Sequence, residues 1–355
     1  GAIIISGVRG LDICNRSGAG SRWGIYSKMK ALVYTGTMQS EILDMPLAEI
    51  QQGQVCIDVH QCGICGSDMH AWHGLDERRI PPLILGHEAV GIARTGRFAG
   101  QRVVLNPLMT CGNCEVCKSG MEHLCASREL LGMRLSGAFA QQVIINEGNL
   151  TAISNNLQDS DAALAEPLAC AVNAVQLAIN HIADTGASVH VLGGGAIGLL
   201  AAMVFSAKGF SKIYIAETNA LRRNMLSKTG DFIAYDPREG IPNSGHVDIV
   251  LDAVGSGLTR AAASAMVRPG GVISHIGLQD NEAGLDTRRL TLQQIVFTGS
   301  YCYSNLDFGE AVQLLEDGKI TGAGWTEVRG LEAGAQSFID IHEGKAPPKI
   351  ILNIS

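Results

Sequence analysis

The chain has 355 residues, 46% hydrophobic and 17% charged, with a formal net charge of −7. That length accommodates two domains, and no polar tract is long enough to suggest disorder. The acidic balance and the lack of a basic cluster argue against a nucleic-acid partner. The most apolar stretch, residues 162–179, contains Glu166, Asn173 and Gln176, so it reads as a buried or amphipathic helix and not a membrane span. Ten cysteines in a chain this long, four of them in one cluster, point to a reducing compartment and not to a disulfide scaffold.

Residues 1–28 read as foreign to the domain. Ala2-Ile3-Ile4-Ile5 is too short for a secretory core, and the polar run Asn15 to Arg22 has no periodicity. They are expected to be a non-native leader or an upstream extension; a native arm packed on a partner is the alternative. Met29-Lys30-Ala31-Leu32-Val33-Tyr34 opens a strand pattern. Val55, Ile57 and Val59 then alternate with Cys56, Asp58 and His60, and Gly53, Gly63, Gly74, Pro81-Pro82 and Gly96 supply turns. The stretch 29–145 is expected to be an all-β module.

Within it, Cys62-Gly63-Ile64-Cys65-Gly66-Ser67-Asp68-Met69-His70 places thiols, a hydroxyl, a carboxylate and an imidazole in nine residues. Gly86-His87-Glu88 and Ala165-Glu166-Pro167-Leu168 follow. A thiolate, an imidazole and a carboxylate from three separate segments suit a catalytic zinc with one position open. Cys62-x-x-Cys65 alone also fits a redox pair or half a zinc knuckle, although neither explains His87 or Glu166. Spacing does not choose between Cys62 and Cys65.

Cys111, Cys114, Cys117 and Cys125 follow with gaps of two, two and seven residues. Four thiolates close a tetrahedral shell and leave nothing open, so this zinc would be structural. His123 is superfluous there and reads as a surface residue. Residues 161–179 are helical by pattern, with Pro167 in the first turns.

Ser188-Val189-His190-Val191-Leu192 runs into Gly193-Gly194-Gly195-Ala196-Ile197-Gly198, then into an Ala-rich helix, and Ile213-Tyr214-Ile215-Ala216 supplies the next strand. In that setting Gly193 allows the tight turn, Gly195 lets a pyrophosphate approach the helix N-terminus, and Gly198 permits close packing. Glu217 lies 19 residues beyond Gly198, where an acid binds ribose hydroxyls. Strands at 247–251, 272–276 and 295–298 continue the alternation, which indicates a doubly wound parallel sheet. A helix at 308–318 and a strand at 349–354 end the chain.

These stretches resemble the zinc-dependent medium-chain dehydrogenases, the superfamily of alcohol, polyol and threonine dehydrogenases, from about Met29 to the C-terminus. The resemblance implies an α/β Rossmann domain at 170–302 and a discontinuous GroES-like β-rich catalytic domain at 29–169 and 303–355. It makes Cys65 the thiolate ligand, with His87 and Glu166, and Cys111, Cys114, Cys117 and Cys125 the structural lobe. Glu88 would be a transient fourth ligand or an electrostatic neighbour, and Asp68 would orient an imidazole. Ser67 and His70 would pass the alcohol proton to water. NAD would lie on Gly193, Gly195, Ala196, Ile197 and Gly198, with Glu217 disfavouring a 2′-phosphate and Arg222 covering the adenine or facing solvent. The implied reaction is hydride transfer between NAD and a polyol or secondary alcohol. A threonine or butanediol-type substrate is the rival, and a catalytically silent nucleotide-binding protein is the reading from outside enzymology. Two departures stand out: Asn173 where polyol relatives often carry His, and Cys302 where they often carry Arg, which weakens a sorbitol assignment. The resemblance further implies a cytoplasmic homodimer or homotetramer, without membrane or nucleic-acid partners.

Overall fold

The computed structural model describes residues 28–355. The leader reading of residues 1–28 falls outside them except at Lys28, which already belongs to the first strand. Three β segments open the chain: β1 (Lys28–Gly36), β2 (Gln39–Pro46) and β3 (Gln54–Gly63). The short helix α1 (Gly66–Trp72) follows, then β4 (Leu83–Ile84), β5 (Glu88–Ala93) and β6 (Arg102–Leu105). A lobe closed by β7 (Leu108–Met109) and β8 (Glu129–Leu130) contains α2 (Glu115–Lys118). Next come β9 (Gln142–Asn146) and β10 (Leu150–Ala152).

The helix read at 161–179 is two pieces, α3 (Asp159–Ala162) and α4 (Ala165–Ile179). Pro167 is the third residue of α4, where the missing N–H costs nothing because first-turn donors have no partner within the helix. The alternating half then runs β11 (Ser188–Leu192), α5 (Ala196–Ala207), β12 (Lys212–Ala216), α6 (Ala220–Leu226), β13 (Ile233–Tyr235), β14 (Val247–Asp252), α7 (Gly257–Met266), β15 (Val267–His275), α8 (Thr287–Leu292) and β16 (Val296–Gly299). The chain ends with α9 (Asn305–Glu316), β17 (Thr326–Gly330), α10 (Gly334–His342) and β18 (Lys349–Asn353).

The strands form a three-stranded sheet, β2-β1-β4, a seven-stranded sheet and a six-stranded parallel sheet, with β7 and β8 as a separate pair. The parallel sheet has the order β13-β12-β11-β14-β15-β16. Its central strand β11 is buried at every residue, which is why it reads as an unbroken apolar run around one histidine. The seven-stranded sheet is centred on β3. One edge of β3 pairs with β5, while the other pairs with β9 over its first half and with β18 at Gln61–Gly63. The C-terminal strand thus returns to the N-terminal sheet, beside the Cys62–Cys65 turn.

Helix α4 joins the two halves. Its alanines and valines are buried on nearly every side, and one core cluster runs from Val90 and Val104 of the β-rich half through Leu168 and Val172 to Val189 and Ile249 of the parallel sheet. Small residues let that helix sit close to both sheets. Trp72 is 2% exposed and packs on Phe338 of α10, so it belongs to the core.

Candidate active site

The β3 strand delivers the first ligand candidate. Cys65 sits at the N-cap of α1 in extended backbone, and Asp68, three residues on, reaches back to accept from Cys65 N at 3.0 Å. The other Asp68 oxygen accepts from Gly86 N at 3.3 Å and lies 3.5 Å from His87 Nδ1. Asp68 is fully buried and ties the Cys65 turn to the Gly86–His87 turn. Burial alone would raise its pKa, but His87, Arg79 and the Cys65 amide hold it below the usual carboxylate value. In His87 burial acts to lower the pKa, and the Asp68 carboxylate and Cys65 thiol raise it well above the ordinary value. With Nδ1 turned toward Asp68, the other ring nitrogen is left for an ion.

Ligand atoms of Cys65, His87 and Glu88 lie within 4.8 Å of one another. Glu88 starts β5 and is 0% exposed, and both its oxygens accept from Lys349 Nζ, at 2.8 and 2.6 Å. Lys349 gives a further hydrogen bond to Ile64 O at 2.9 Å. The pair is buried and fully hydrogen-bonded, which is what makes two charges tolerable there. Cys62, the other thiol of the pair, is also buried, but its Sγ faces its own neighbour, Gly63 O, at 3.8 Å.

Glu166 stands beside this group and outside the 4.8 Å set. It is 6% exposed, and burial pushes its pKa up to about 7 against the pull of His87 and Lys349. It accepts from the Cys170 thiol, one turn along α4, at 3.7 Å, and the Tyr303 hydroxyl also acts on it. Ser67 and His70 share α1. Ser67 Oγ accepts from Arg79 Nη2 at 3.3 Å, and His70 is half-exposed at the end of the helix.

The four-cysteine lobe is compact. Its sulfur separations are 3.4 Å (Cys114–Cys117), 3.5 Å (Cys111–Cys125), 3.8 Å (Cys111–Cys117) and 3.9 Å (Cys114–Cys125). Four thiolates ~2.3 Å from a tetrahedral zinc stand ~3.8 Å apart, so the donor set fits that ion. His123 is half-buried with a buried Nδ1, a correction to its reading as a surface residue.

The glycine turn joins β11 to α5. Gly193 has φ +99, and a Cβ on Gly198 would stand 1.9 Å from Gly193 O. A Cβ on Gly195 would meet nothing within 4 Å, so the backbone there faces open space at the helix N-terminus, as a pyrophosphate requires. Glu217 directly follows β12 and accepts from Gly194 N at 3.1 Å and Asn219 N at 2.7 Å. Arg222 donates to Ala346 O at 3.4 Å, and Arg223 binds Glu217 O and Asp236, so neither points freely into solvent.

A cleft of about 230 Å³ brings the two halves together. Cys65, Glu88 and Lys349 line one wall, Gly195 to Gly198 and Arg222 the other. Sequence had not singled out Lys349 or Arg79. The signals were a lone lysine opening an apolar final strand and an Arg78-Arg79 pair just ahead of Pro81-Pro82. Of the unassigned histidines, His60 pairs with Asp159 at 2.9 Å, and His190 is buried, stacked on Tyr214 at 4.5 Å.

The geometry agrees with what comparison shows. Residues 51–155 match the alcohol dehydrogenase GroES-like domain, and residues 196–317 match the zinc-binding dehydrogenase family. A sorbitol dehydrogenase of Bacillus subtilis is 30% identical over 309 residues, 82% of this chain and 86% of that protein. D-xylulose reductase A of Aspergillus oryzae is 29% identical over 348 residues, 91% and 96% of the two chains. Among solved structures, the alcohol dehydrogenase TADH from Thermus sp. ATN1 superposes with a TM-score of 0.84 at 25% identity, covering 92% of this chain and 100% of that one. With a β-rich half and a parallel-sheet half meeting at a cleft that sets the Cys65 thiol and Glu88 carboxylate opposite a glycine turn, this chain belongs to the zinc-binding dehydrogenases of the alcohol dehydrogenase family.

Proposed function

We propose that the protein is a zinc-dependent oxidoreductase that transfers hydride between a polyol or secondary alcohol and NAD. The carrying observation is the single cleft lined by Cys65 and Glu88 on one side and Gly195 to Gly198 on the other. We assign residues 29–169 and 303–355 to the catalytic domain and 170–302 to the dinucleotide domain.

Cys65, His87 and Glu166 are the residues we assign to the catalytic ion. Glu166 is preferred to Glu88 because both Glu88 oxygens already hold Lys349, whereas Glu166 is a buried carboxylate without a cationic hydrogen-bond partner. Glu88 with Lys349 is then a charge-balanced wall of the site. A zinc ion held there supplies Lewis acidity, which brings an alcohol hydroxyl toward ionisation near neutral pH. Asp68 fixes the His87 ring. Ser67 is placed to accept the alcohol proton, and His70, three residues on along α1, to pass it to solvent. Cys111, Cys114, Cys117 and Cys125 would hold a second, structural zinc.

Glu217 favours NAD, because its buried carboxylate would repel a 2′-phosphate. The thiol-rich lobe stays reduced most readily in the cytoplasm. A homodimer or homotetramer fits β16, whose outer edge pairs with no strand among the described residues; Leu292, at the end of α8 just before it, is 71% exposed.

Initial rates on a panel of polyols, diols, threonine and simple alcohols with NAD⁺ and NADP⁺, with zinc content measured alongside, test the reading. Zinc-dependent turnover of a polyol, with the higher kcat/KM for NAD⁺, is expected. Turnover that survives loss of all zinc, or a higher kcat/KM with NADP⁺, would contradict it.

A further inference from the structure

Three arginines form a wall outside the dinucleotide cleft. Arg79 is the buried one, its side chain 1% exposed. It donates to Gly132 O at 2.8 Å, to Asp76 Oδ2 at 2.6 Å and to Ser67 Oγ at 3.3 Å. Asp76 in turn takes two hydrogen bonds from the Arg78 guanidinium, at 2.8 and 3.0 Å, and one from its backbone N–H at 3.1 Å. Burial works to raise the Asp76 pKa, but the two arginines hold it down to about 2, so it is charged throughout the neutral range. The chain of contacts runs from Ser67, two residues from Cys65, to the half-exposed Arg78 guanidinium.

Arg128 closes the wall from the other side. It is carried by the four-cysteine lobe, through a hydrogen bond to Cys125 O at 2.9 Å. Its Nε donates to Tyr301 Oη at 3.1 Å, and its guanidinium lies 4.8 Å from the centre of the Tyr301 ring. Tyr301 and Cys302 form a strap after β16. Asn173 of α4 donates to both their carbonyls, at 3.4 and 3.0 Å, and Cys302 has φ +45, an uncommon backbone state for a residue other than glycine. The strap is thus fixed in place. Cys302 is within electrostatic reach of Glu166 and His87, and also of Arg78 and Arg128. Among the described residues, Arg78 Nη1 and Arg128 Nη2 donate to no protein atom; Asp76 takes hydrogen bonds from Arg78 and Arg79, and Arg128 bonds no carboxylate.

We propose that the substrate carries an anionic group, a carboxylate or a phosphate ester, on the end away from the reacting carbinol, and that Arg128 and Arg78 hold it against the Tyr301 strap. This rests on the alcohol dehydrogenase reading of the site and narrows its substrate class to acidic polyols. A guanidinium with free N–H groups matches the paired oxygens of either anion, and its planar fork is already held by neighbours, so little ordering remains on binding. None of the three arginines lines the cleft shared by Cys65 and the glycine turn, so they stand apart from the dinucleotide's own contacts.

The test uses the full chain loaded with zinc and NADH. Calorimetric titration compares two matched series, sorbitol, gluconate and sorbitol 6-phosphate, then xylitol, xylonate and xylitol 5-phosphate, and kcat/KM is measured on the reducible or oxidisable members. In at least one series an anion should bind about tenfold or more tighter than its neutral parent, and raising salt from about 0.02 M to about 0.3 M should shrink that advantage. The anion that wins, carboxylate or phosphate, identifies the group. Arg78→Gln and Arg128→Gln should each bring the anion-to-neutral ratio toward one, with Arg128→Lys retaining part of it. An arginine that only braced the lobe would lower neutral and anionic binding alike and leave the ratio unchanged. Neutral parents binding as tightly as both anions in both series, or a ratio untouched by both Gln variants, overturns the proposal. Turnover of neutral polyols without anion preference would sink this inference and leave the dehydrogenase reading standing. Anion preference with no alcohol turned over would do the reverse.

Discussion

The two clusters of candidate metal ligands are built in opposite ways. The thiols of Cys111, Cys114, Cys117 and Cys125 come from one lobe of 15 residues, the first exposed, the next two half-buried and the last buried. The other cluster draws Cys65 from the turn after β3, His87 and Glu88 from the start of β5, Glu166 from α4 and the balancing Lys349 from β18. Ile64 and Lys349, hydrogen-bonded at 2.9 Å, are 285 positions apart in sequence. A short loop closes at little entropic cost, so an ion and a few turns would suffice to hold the lobe. The distant cluster exists only when both sheets and α4 have packed, and its charges sit where water cannot screen them. Local change should therefore cost the lobe its metal, and the buried cluster its stability or chemistry.

The largest effect is expected at Lys349→Met, which leaves Glu88 buried without its cation. Removing one partner of a buried pair costs about 3–5 kcal/mol, and urea unfolding of the zinc-loaded protein would measure it. A loss below about 1 kcal/mol would show that the buried cluster is as loosely coupled to the fold as the lobe.

Next in size is Glu166 in the metal-free protein. Its folded pKa, about 7, lies above the ordinary 4.5, so the fold favours the protonated acid. Stability from this group is complete below pH ~4.5 and is lost as pH rises through 7, by roughly 3 kcal/mol in all. Glu166→Gln should remove that slope, and zinc should remove it too by holding the carboxylate ionised. Parallel stability-versus-pH curves for the wild type and the Gln variant would place Glu166 away from the buried cluster.

Ser67→Ala should keep both metals and the cofactor yet lose about 100-fold in turnover, the usual scale for a positioned acid–base group. Near-normal turnover with zinc confirmed present would remove Ser67 from the proton path. The smallest effect on chemistry is expected at Cys114→Ser. One of two zinc equivalents should be released and thermal stability should fall, while turnover per remaining zinc stays within about threefold. Retention of both equivalents would end the contrast between the clusters.

What was legible in sequence follows the same division. The lobe and the Gly193–Gly198 turn are local, so spacing and flanking strands were enough to identify them. The zinc-dehydrogenase resemblance and its two-part fold hold in the matched families. Cys62 and Cys65 could not be told apart by spacing, because the difference is one of direction: Cys65 caps α1, while Cys62 is buried in β3. Lys349 and Arg79 were missed because nothing near them in sequence shows what they touch; Glu88 and Ser67 reach them only through folding. The single helix expected over 161–179 is interrupted at Ala163–Leu164 before α4 begins, a boundary that apolar periodicity does not mark.

Anomalous diffraction at the zinc edge, from crystals of the NADH complex, tests the central claim most directly. The account predicts two peaks, one enclosed by the Cys111, Cys114, Cys117 and Cys125 sulfurs, the other beside Cys65, His87 and Glu166 and facing the nicotinamide across the cleft. A single peak at the lobe, with Cys65 and His87 metal-free in an active enzyme, would contradict it.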